Sequence, residues 1–352
     1  MNSASKTYKW EYLLILSLPI SVVVNLLYDG WFSFLSLLIF FVLVPFLELV
    51  LPSNHDNVSK DLEEKVANDK FYDVMLLISL PIQYGVLAFY LFQCSKNPTF
   101  NADWVGNTVA AGLMCGVVGI NIGHELGHRE NKWQRLVGEL LLLSSLNTHF
   151  LPYHNYVHHK EVATPKDAAT ARLNEPLYIF WIRSHFSGYL YAWQVENRLS
   201  ADARGTKYSL KNRMVVYTIW NVLLVLGVYF SLGWFALVSF LTAAIIGILL
   251  LQTVNYIEHY GLLRKQNDQG RYERVRYWHS WNSDHIIGRL LLFNLSRHSD
   301  HHYKASKPYQ ILDSIENAPQ MPTGYPGMML LSFLPPIFFA IVNKKIKQFD
   351  YR

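Results

Sequence analysis

The stretch MVVYTIWNVLLVLGVYFSLGWFALVSFLTAAIIGILLLQTVNYI, residues 214–257, decides the fold class of this chain. It runs for 44 residues without an Asp, Glu, Lys or Arg. A helix needs about 20 mostly apolar residues to span a membrane, so the stretch is long enough for two spans. Residues 231–233, Ser-Leu-Gly, lie at its middle and favour a turn there. The stretch therefore predicts two membrane spans, at 214–231 and 233–256.

Four more apolar stretches precede this one and extend the same interpretation to the N-terminal half. They predict spans at 12–28, 31–51, 74–95 and 104–123. Only 16% of the 352 residues are charged, whereas a soluble protein carries about 25%. We therefore predict an all-α integral membrane protein with six transmembrane helices in three hairpins. The whole chain, 1–352, is expected to form a single domain.

The lysines and arginines predict the orientation of the spans. With six spans, both termini lie on one side of the membrane, together with the loop 124–213 and the tail 258–352. Of the 31 Lys and Arg residues, only Lys96 falls on the opposite side. Positive residues concentrate on the cytoplasmic side of a membrane, so the loop and the tail are expected to be cytoplasmic. The net charge of +5 then reflects topology and requires no nucleic-acid partner.

Two other apolar segments are too short or too interrupted to predict spans. Residues 133–146 predict a short helix that lies in or against the membrane. Residues 327–342 contain two adjacent prolines, and a seventh span there would place the basic residues that follow on the wrong face. We expect this segment to lie at the interface or to pack on the domain. Cys94 and Cys115, both in apolar stretches, are predicted to be small core residues.

Nine of the 14 histidines fall in four tight groups, and this grouping is the main sign of function. The groups are HELGH, HNYVHH, NYIEHYG and RHSDHH, and their histidines are His124, His128, His154, His158, His159, His259, His298, His301 and His302. On a helix, residues i and i+4 project to one face. The pairs 124/128, 154/158 and 298/302 therefore each predict a two-point clamp. All four groups fall on the predicted cytoplasmic side.

Nine imidazoles are too many for one ion, since a catalytic zinc takes three protein ligands and a water. Shared between two ions, they supply four or five ligands each. Imidazole suits iron, copper, nickel and zinc alike, so the spacing alone leaves the metal open. Iron is favoured by the apolar setting, because attack on an unactivated C–H bond needs a redox metal and oxygen. The remaining histidines are expected outside the site: His55, His149, His185, His279 and His285.

Carboxylates beside the histidines are candidates for supporting the ligands. A ligating histidine usually donates its second N–H to a carboxylate or a carbonyl. The candidates are Glu125, Asp167, Glu258 and Asp300, although some of them can equally bridge loops to arginines. Glu48 differs because it lies within an apolar span, where an ionisable side chain indicates a functional site. It can also simply reach the cytoplasmic interface.

The group HELGH has a second interpretation, because it matches the HExxH pattern of zinc metalloproteases. In those enzymes the two histidines bind zinc and the glutamate is the general base. A protease needs only one more ligand, whereas this chain has seven more histidines in groups of their own. A protein that binds metal without catalysis, such as a sensor or a transporter, also remains an alternative.

Four stretches closely resemble the signatures of the membrane alkane 1-monooxygenases, the AlkB-type alkane ω-hydroxylases within the fatty acid desaturase-like membrane di-iron superfamily. They are NIGHELGHRE (121–130), HNYVHHKEVATPKDAATAR (154–172), NYIEHYGLLR (255–264) and LSRHSDHHYKASKPYQIL (295–312). WHSWNSDHIIGRLLLF (278–293) and PTGYPG (322–327) are also similar to that family. The resemblance covers nearly the whole chain, and NYxEHYG is its most discriminating part.

This resemblance implies a function, a cofactor and partners. The nine histidines would bind two non-haem iron ions, with O2 as cosubstrate, and Asn255 and Glu258 would support the site. The reaction would be terminal hydroxylation of linear alkanes to primary alcohols in a bacterial inner membrane. Because the chain has no nucleotide-binding motif and no four-cysteine site, electrons would come from rubredoxin and a rubredoxin reductase upstream. A xylene-type aryl-methyl monooxygenase and a membrane lipid hydroxylase or desaturase remain alternatives.

The chain also departs from the family pattern at four positions near the ligands. Tyr153 stands where the family usually has Glu, and Val157 where it usually has Gly. Ser296 and Tyr303 replace the usual Gln and Ala of the fourth group. None of these removes a ligand, so they bear on the surroundings of the site and on the substrate. The spans are expected to form an apolar channel, and Phe40, about one turn before a proline, is a candidate for its lining.

Overall fold

The computed structural model describes residues 9–204 and 208–348, so residues 205–207 of the predicted cytoplasmic loop and the two extreme termini lie outside the described residues. In these ranges the chain is helical and forms no strand, only isolated β-bridges. The helices are α1 (Lys9–Leu27), α2 (Gly30–Val50), α3 (Lys60–Ala67), α4 (Lys70–Lys96), α5 (Ala102–Gly127), α6 (Lys132–Leu143), α7 (150–161), α8 (Leu177–Arg204), α9 (Arg213–His259), α10 (Ile286–Leu291), α11 (His298–Tyr303), α12 (Tyr325–Ser332) and α13 (Pro335–Ile346).

Five helical segments of the described chain are long and apolar enough to cross a membrane. They are α1, α2, α4 together with the preceding α3, α5, and α9. Their positions agree with the apolar stretches of the sequence, and α2 and α9 are the most hydrophobic. The predicted fold class, an all-α membrane protein with a histidine-rich region, is confirmed.

The helix α9 is 47 residues long, but it is broken at Gly233, whose backbone lies at φ 84° and ψ 178°. Glycine adopts a positive φ without the steric cost that a Cβ brings. Near the break, Phe235 contacts Phe100, which precedes α5. At the start of α9, Arg213 binds Glu139 of α6, beside the opposite end of α5. Counting the two arms separately gives six spans, and that topology stays a prediction.

Close contact between the backbones of α5 and α9 depends on glycine. A Cβ on Gly112 would lie within van der Waals overlap of Ile246, and a Cβ on Gly247 would lie 2.6 Å from Cβ of Cys115. Small residues permit such approaches between membrane helices. Cys115 is fully buried in this contact, and Cys94 is also a buried free cysteine.

Three helices contain π-helical turns, whose backbone hydrogen bonds close over five residues and which occur frequently at functional sites. The turns are Ile39–Leu43 in α2, Cys115–Ile122 in α5 and His154–His158 in α7. The first two contribute residues to the wall of an apolar cavity, and the third carries histidines. All three therefore lie in the part of the fold that builds the site.

The predicted loop 124–213 contains a long helix that the sequence analysis missed, α8. Its apolar residues are interrupted by Arg183, Glu196 and Arg198, so it contains no charge-free stretch long enough to span a membrane. Arg183 of α8 binds Glu175 through Nε at 2.7 Å, while Ile182 and Phe186 are exposed. A search for apolar windows overlooks such an amphipathic helix.

The segment 327–342 forms α12 and α13, divided at residues 333–334. Neither helix has the length of a span. Phe338 is fully buried against Tyr256 and Tyr260 at the end of α9, with ring centroids 5.2 and 4.9 Å apart. The segment thus packs on the domain, and α6 forms the short helix expected at 133–146 with slightly different ends.

The contact between α5 and α9 predicts opposite effects for two alanine substitutions on α9. Gly247→Ala places a methyl group against Cys115, and overpacking of this kind costs about 1–3 kcal/mol. Gly227→Ala is the matched control, because nothing lies within 4 Å of its Cβ and alanine favours a helix by about 0.5–1 kcal/mol over glycine. In detergent, the Tm should fall for Gly247→Ala and stay or rise for Gly227→Ala. Equal Tm changes would contradict the close packing.

Candidate metal centre

The nine grouped histidines converge in space and form two clusters. The five-histidine cluster consists of His124, His128, His154, His159 and His301, and the four-histidine cluster consists of His158, His259, His298 and His302. Within each cluster the possible ligand atoms all lie within 4.8 Å of one another. Most of these side chains are buried. The division into five and four agrees with the ligand arithmetic for two ions.

The spacing within the five-histidine cluster fits a bound ion better than hydrogen bonding. The Nε2 atoms of His124, His128 and His154 form a triangle with sides of 2.7, 3.0 and 3.1 Å. A ring nitrogen carries at most one hydrogen, directed outward, so three nitrogens in a triangle cannot all be joined by linear hydrogen bonds. Ligands bound to one metal at about 2.0–2.1 Å lie about 3 Å apart. The triangle has these dimensions.

The four-histidine cluster has the same dimensions. Nε2 of His298 lies 3.0 Å from Nε2 of both His259 and His302, and Nε2 of His158 lies 3.2 Å from that of His302. In the other cluster, both ring nitrogens of His301 are buried and have no hydrogen-bond partner among the described residues. A buried polar atom left unpaired costs about 1–3 kcal/mol. A metal ion that takes the lone pair removes this cost, so both clusters fit metal ions.

In two of the three predicted i,i+4 histidine pairs, both side chains lie on one face of the helix, as expected. His124 and His128 share a face at the end of α5, with Nε2 atoms 3.0 Å apart. His298 and His302 do the same on α11. His301, adjacent to His302, points to the other cluster. One short helix therefore supplies ligands to both clusters.

The third predicted clamp, His154 with His158, is wrong. These residues form a π-helical turn, which closes over five residues rather than four. The wider turn brings His159 beside His154, with Nε2 atoms 2.9 Å apart, and directs His158 toward His302. Adjacent histidines of one helix thus belong to different clusters. Nothing in the spacing of the residues distinguished a π turn from an α turn.

Asp167 supports a ligand as predicted from its position near the second group. Its Oδ2 lies 3.0 Å from Nδ1 of His158 and accepts a hydrogen bond from Thr170. Burial raises the pKa of the Asp167 carboxyl, but the charge and hydrogen bond of His158 outweigh burial and lower the pKa to about 2. The ionised carboxylate holds the proton of His158 on Nδ1. Nε2 is then free to bind a metal.

Tyr153, one of the departures from the family pattern, belongs to the same network. Its hydroxyl donates to Oδ1 of Asp167 and accepts a hydrogen bond from the amide of Ala169 at 2.7 Å. The phenol thus replaces a carboxylate at this position with a neutral donor. Among the other departures, Ser296 is buried, and Tyr303 is half exposed and packs on Tyr277.

The Glu258 carboxylate lies on the side of the four-histidine cluster where the Nε2 atoms face one another. It does not lie beside the outer ring nitrogen of a histidine. Its Oε2 is 3.2 Å from Nε2 of His298, the nitrogen that faces the other histidines. Its Oε1 accepts a hydrogen bond of 2.8 Å from the hydroxyl of Tyr325. The sequence analysis expected Glu258 to support the site, and the structure places its carboxylate where an ion would be within reach.

The other predicted supporting residues have different partners. Glu125 pairs with Arg129 at 3.0 Å, and Asp300 pairs with Lys307 at 2.6 Å. In the described ranges neither carboxylate accepts a hydrogen bond from a cluster histidine. Asn255 is buried one turn before the end of α9, and no hydrogen bond joins it to a histidine there. Each of these two carboxylates therefore pairs with a basic residue a few positions further along the chain.

The pairing of Glu125 also bears on the metalloprotease interpretation. In an HExxH protease the glutamate must face the metal-bound water as a general base. Here it is held by Arg129, and three additional histidines surround the two of HELGH. The geometry does not fit a zinc protease.

The five remaining histidines lie outside both clusters, as expected. His149 and His185 pack ring to ring at 5.1 Å, and burial lowers the pKa of His149 to about 3, so that it is neutral. His279 accepts a hydrogen bond from a backbone amide. His55 and His285 contact serine hydroxyls.

An apolar cavity adjoins the five-histidine cluster, and His124 forms part of its wall. Phe40 and Phe41 line it from the π turn of α2, and Val117 and Asn121 from the π turn of α5. The predicted lining residue Phe40 therefore lies in this wall. The wall is almost entirely apolar, which suits a hydrocarbon ligand.

Comparison with known proteins agrees with this geometry. The fatty acid desaturase family model matches residues 102–332, which contain all nine histidines. The chain is 33% identical over 321 residues to alkane 1-monooxygenase 1 of Alcanivorax borkumensis, with 91% of this chain and 79% of that protein covered. It is 32% identical over 349 residues to alkane 1-monooxygenase 2 of Pseudomonas aeruginosa, with 97% and 92% covered. Identity to the hydroxylase component of the xylene/toluene monooxygenase of Pseudomonas putida is 26% over 348 residues, with 97% and 90% covered.

The helical fold and the paired histidine clusters define a membrane oxidoreductase of the fatty acid desaturase class. Within that class, the chain belongs to the alkane 1-monooxygenase family. It is an integral membrane protein with the metal-binding histidines of a monooxygenase.

Because His158 and His159 belong to different clusters, we expect substitution of each residue to remove a different ion. His158→Ala should empty the four-histidine cluster and His159→Ala the five-histidine cluster, so each should lower bound metal from about two ions per chain to about one. Metal analysis gives the ratio, and visible spectra of the cobalt(II)-loaded variants identify the ion that remains.

The control is His55→Ala, which alters an exposed histidine and should retain both ions. Identical residual spectra for His158→Ala and His159→Ala would contradict the assignment of these residues to separate clusters.

Proposed function

We propose that this protein is an alkane 1-monooxygenase that hydroxylates the terminal methyl group of linear alkanes to give primary alcohols. The observation that carries the proposal is the apolar cavity whose wall includes His124 of the five-histidine cluster. An apolar substrate and a metal centre would meet there. The family of the chain supports the same reaction.

The metal would be iron, one ion in each cluster. Imidazole ligands suit iron, and O2-dependent attack on an unactivated C–H bond requires a redox metal. When bound, the two irons would supply the activation of O2 and the oxidation of the substrate C–H bond. The chain would hold them through nine Nε2 atoms, with Asp167 fixing the tautomer of His158.

The substrate would be bound by burial of its surface. Each buried methylene contributes about 0.8 kcal/mol, and the apolar wall offers an alkane no competing polar partner. A linear chain lying between Phe40 and His124 would present one end to the metal cluster. Terminal attack follows from that orientation.

The electron donor would be rubredoxin, reduced by a rubredoxin reductase, as the resemblance to the alkane 1-monooxygenases implies. The distribution of Lys and Arg supports an active site on the cytoplasmic side of a bacterial inner membrane. The donor would dock on that basic face. We infer that the whole chain acts as one oxygenase domain.

A second candidate is hydroxylation of an aryl methyl group. It is supported by the 26% identity to the hydroxylase component of the xylene/toluene monooxygenase. The chemistry is again oxidation of a methyl C–H bond. We favour alkanes because identity to the alkane 1-monooxygenases is higher.

The purified, iron-loaded protein, supplied with rubredoxin, its reductase and NADH, should convert octane to 1-octanol. Parallel reactions with xylene and with a fatty acid compare the alternatives, and His301→Ala should be inactive while it remains in the membrane. Oxidation of xylene without any alcohol from an alkane would reject the proposed substrate. Activity in His301→Ala would reject its assignment as a ligand.

Phe40→Ala should shift the preference toward longer alkanes, because it removes a ring from the cavity wall. An additional buried methylene is worth up to about a four-fold change in preference. Competition among alkanes of increasing length, with products identified by mass spectrometry, measures this. The matched control is Phe46→Ala, which alters an exposed phenylalanine of the same helix and should leave the preference unchanged. An equal shift in both variants would exclude a specific role for Phe40.

A further inference from the structure

One side chain, Tyr325, joins the apolar cavity to the four-histidine cluster. Its ring lies in the cavity wall and is 1% exposed. Its hydroxyl donates a hydrogen bond of 2.8 Å to Oε1 of Glu258. The other carboxylate oxygen lies 3.2 Å from Nε2 of His298. A continuous series of contacts therefore runs from the cavity to the cluster.

The orientation of Glu258 depends on this phenol. The carboxylate is buried, and the described chain gives it no lysine or arginine as an ion-pair partner. Apart from the contact with His298, its hydrogen-bond donor in the described residues is Tyr325. A carboxylate held at one oxygen by a donor has a defined plane, and its second oxygen then has a defined direction. Here that direction is toward the cluster.

The residue before Tyr325 packs against the intramembrane Glu48. The backbone of Gly324, which directly precedes α12, packs on the Glu48 carboxylate, leaving no room for a side chain. The other oxygen of Glu48 accepts a hydrogen bond of 2.8 Å from the amide of Gly288. Gly288 and Tyr325 both line the cavity. Glu48 of α2 thus hydrogen-bonds one segment of the tail and packs against another, which gives a role to a carboxylate unexpected in an apolar span.

Building on the proposed function, we propose that Tyr325 is a positioning residue that orients Glu258 at the four-histidine cluster and makes this orientation respond to occupation of the cavity. An alkane in the cavity packs against the ring of Tyr325, while the hydroxyl of the same residue holds Glu258. Substrate binding thereby changes the surroundings of the metal through two side chains. The expected consequence is that O2 consumption is coupled to hydroxylation.

Tyr325→Phe tests this role because it keeps the ring in the cavity wall and removes only the hydroxyl. The KM for the alkane should stay within about a factor of two, whereas kcat and the alcohol formed per O2 consumed should fall about ten-fold or more. Tyr90→Phe is the matched control. It removes a buried hydroxyl that is hydrogen-bonded to Thr108, and it should leave all three quantities unchanged. Unchanged coupling in Tyr325→Phe would overturn the proposal.

A spectroscopic measurement tests the same role without turnover. With cobalt(II) in both clusters, octane should change the visible spectrum of the wild-type protein but not that of Tyr325→Phe, although both bind two ions. The same octane-induced change in both proteins would overturn the proposal. Loss of an ion in Tyr325→Phe would indicate a purely structural role and would also overturn it.

A double-mutant cycle with Glu258→Gln covers the case in which a single variant folds poorly. If Tyr325 acts through Glu258, the double variant should lose no more coupling than Glu258→Gln alone, whereas additive losses contradict this path. Failure of the proposed function is distinguishable: the wild-type protein would form no alcohol from any alkane, while the spectral comparison would still decide the role of Tyr325.

Discussion

The convergence of nine imidazoles on two points is the constraint on which the rest of the structure depends. Nε2 atoms 2.7–3.4 Å apart direct their lone pairs at one another, and such an arrangement is stable when a cation lies between them. The ligands come from four segments far apart in the chain. Other contacts hold these segments in place, such as Gly247 against Cys115 and Arg297 donating to Asp284 and to the carbonyl of Leu312.

The second constraint is that a polar centre and an apolar cavity share a wall. Membrane helices supply the apolar wall, since most of their side chains are apolar. Residues of the π turns of α2 and α5 line the cavity. His124 at the end of α5 and Tyr325 at the start of α12 are where the two environments meet. At each of these two positions a single side chain separates the apolar cavity from the polar centre.

The parts of the fold that follow from local composition were predictable. Spans appear as charge-free stretches of sufficient length, and a glycine marks the break in α9. The amphipathic helix α8 was not found because Arg183 and other charges interrupt its apolar residues. The His154/His158 clamp was wrong because spacing does not reveal a π turn. Glu125 was a candidate for supporting a ligand because of its neighbours in sequence, but it pairs with Arg129.

The sequence by itself determined the helical membrane fold and the nine clustered histidines, and it predicted two ions, because apolar length and ligand chemistry belong to the residues themselves. Only the tertiary structure decided which histidine joins which cluster, which carboxylate faces a metal and which side chain links cavity and cluster. These depend on the direction in which each side chain leaves its helix and on distances between remote segments. Adjacent residues such as His158 and His159 point to different ions for that reason.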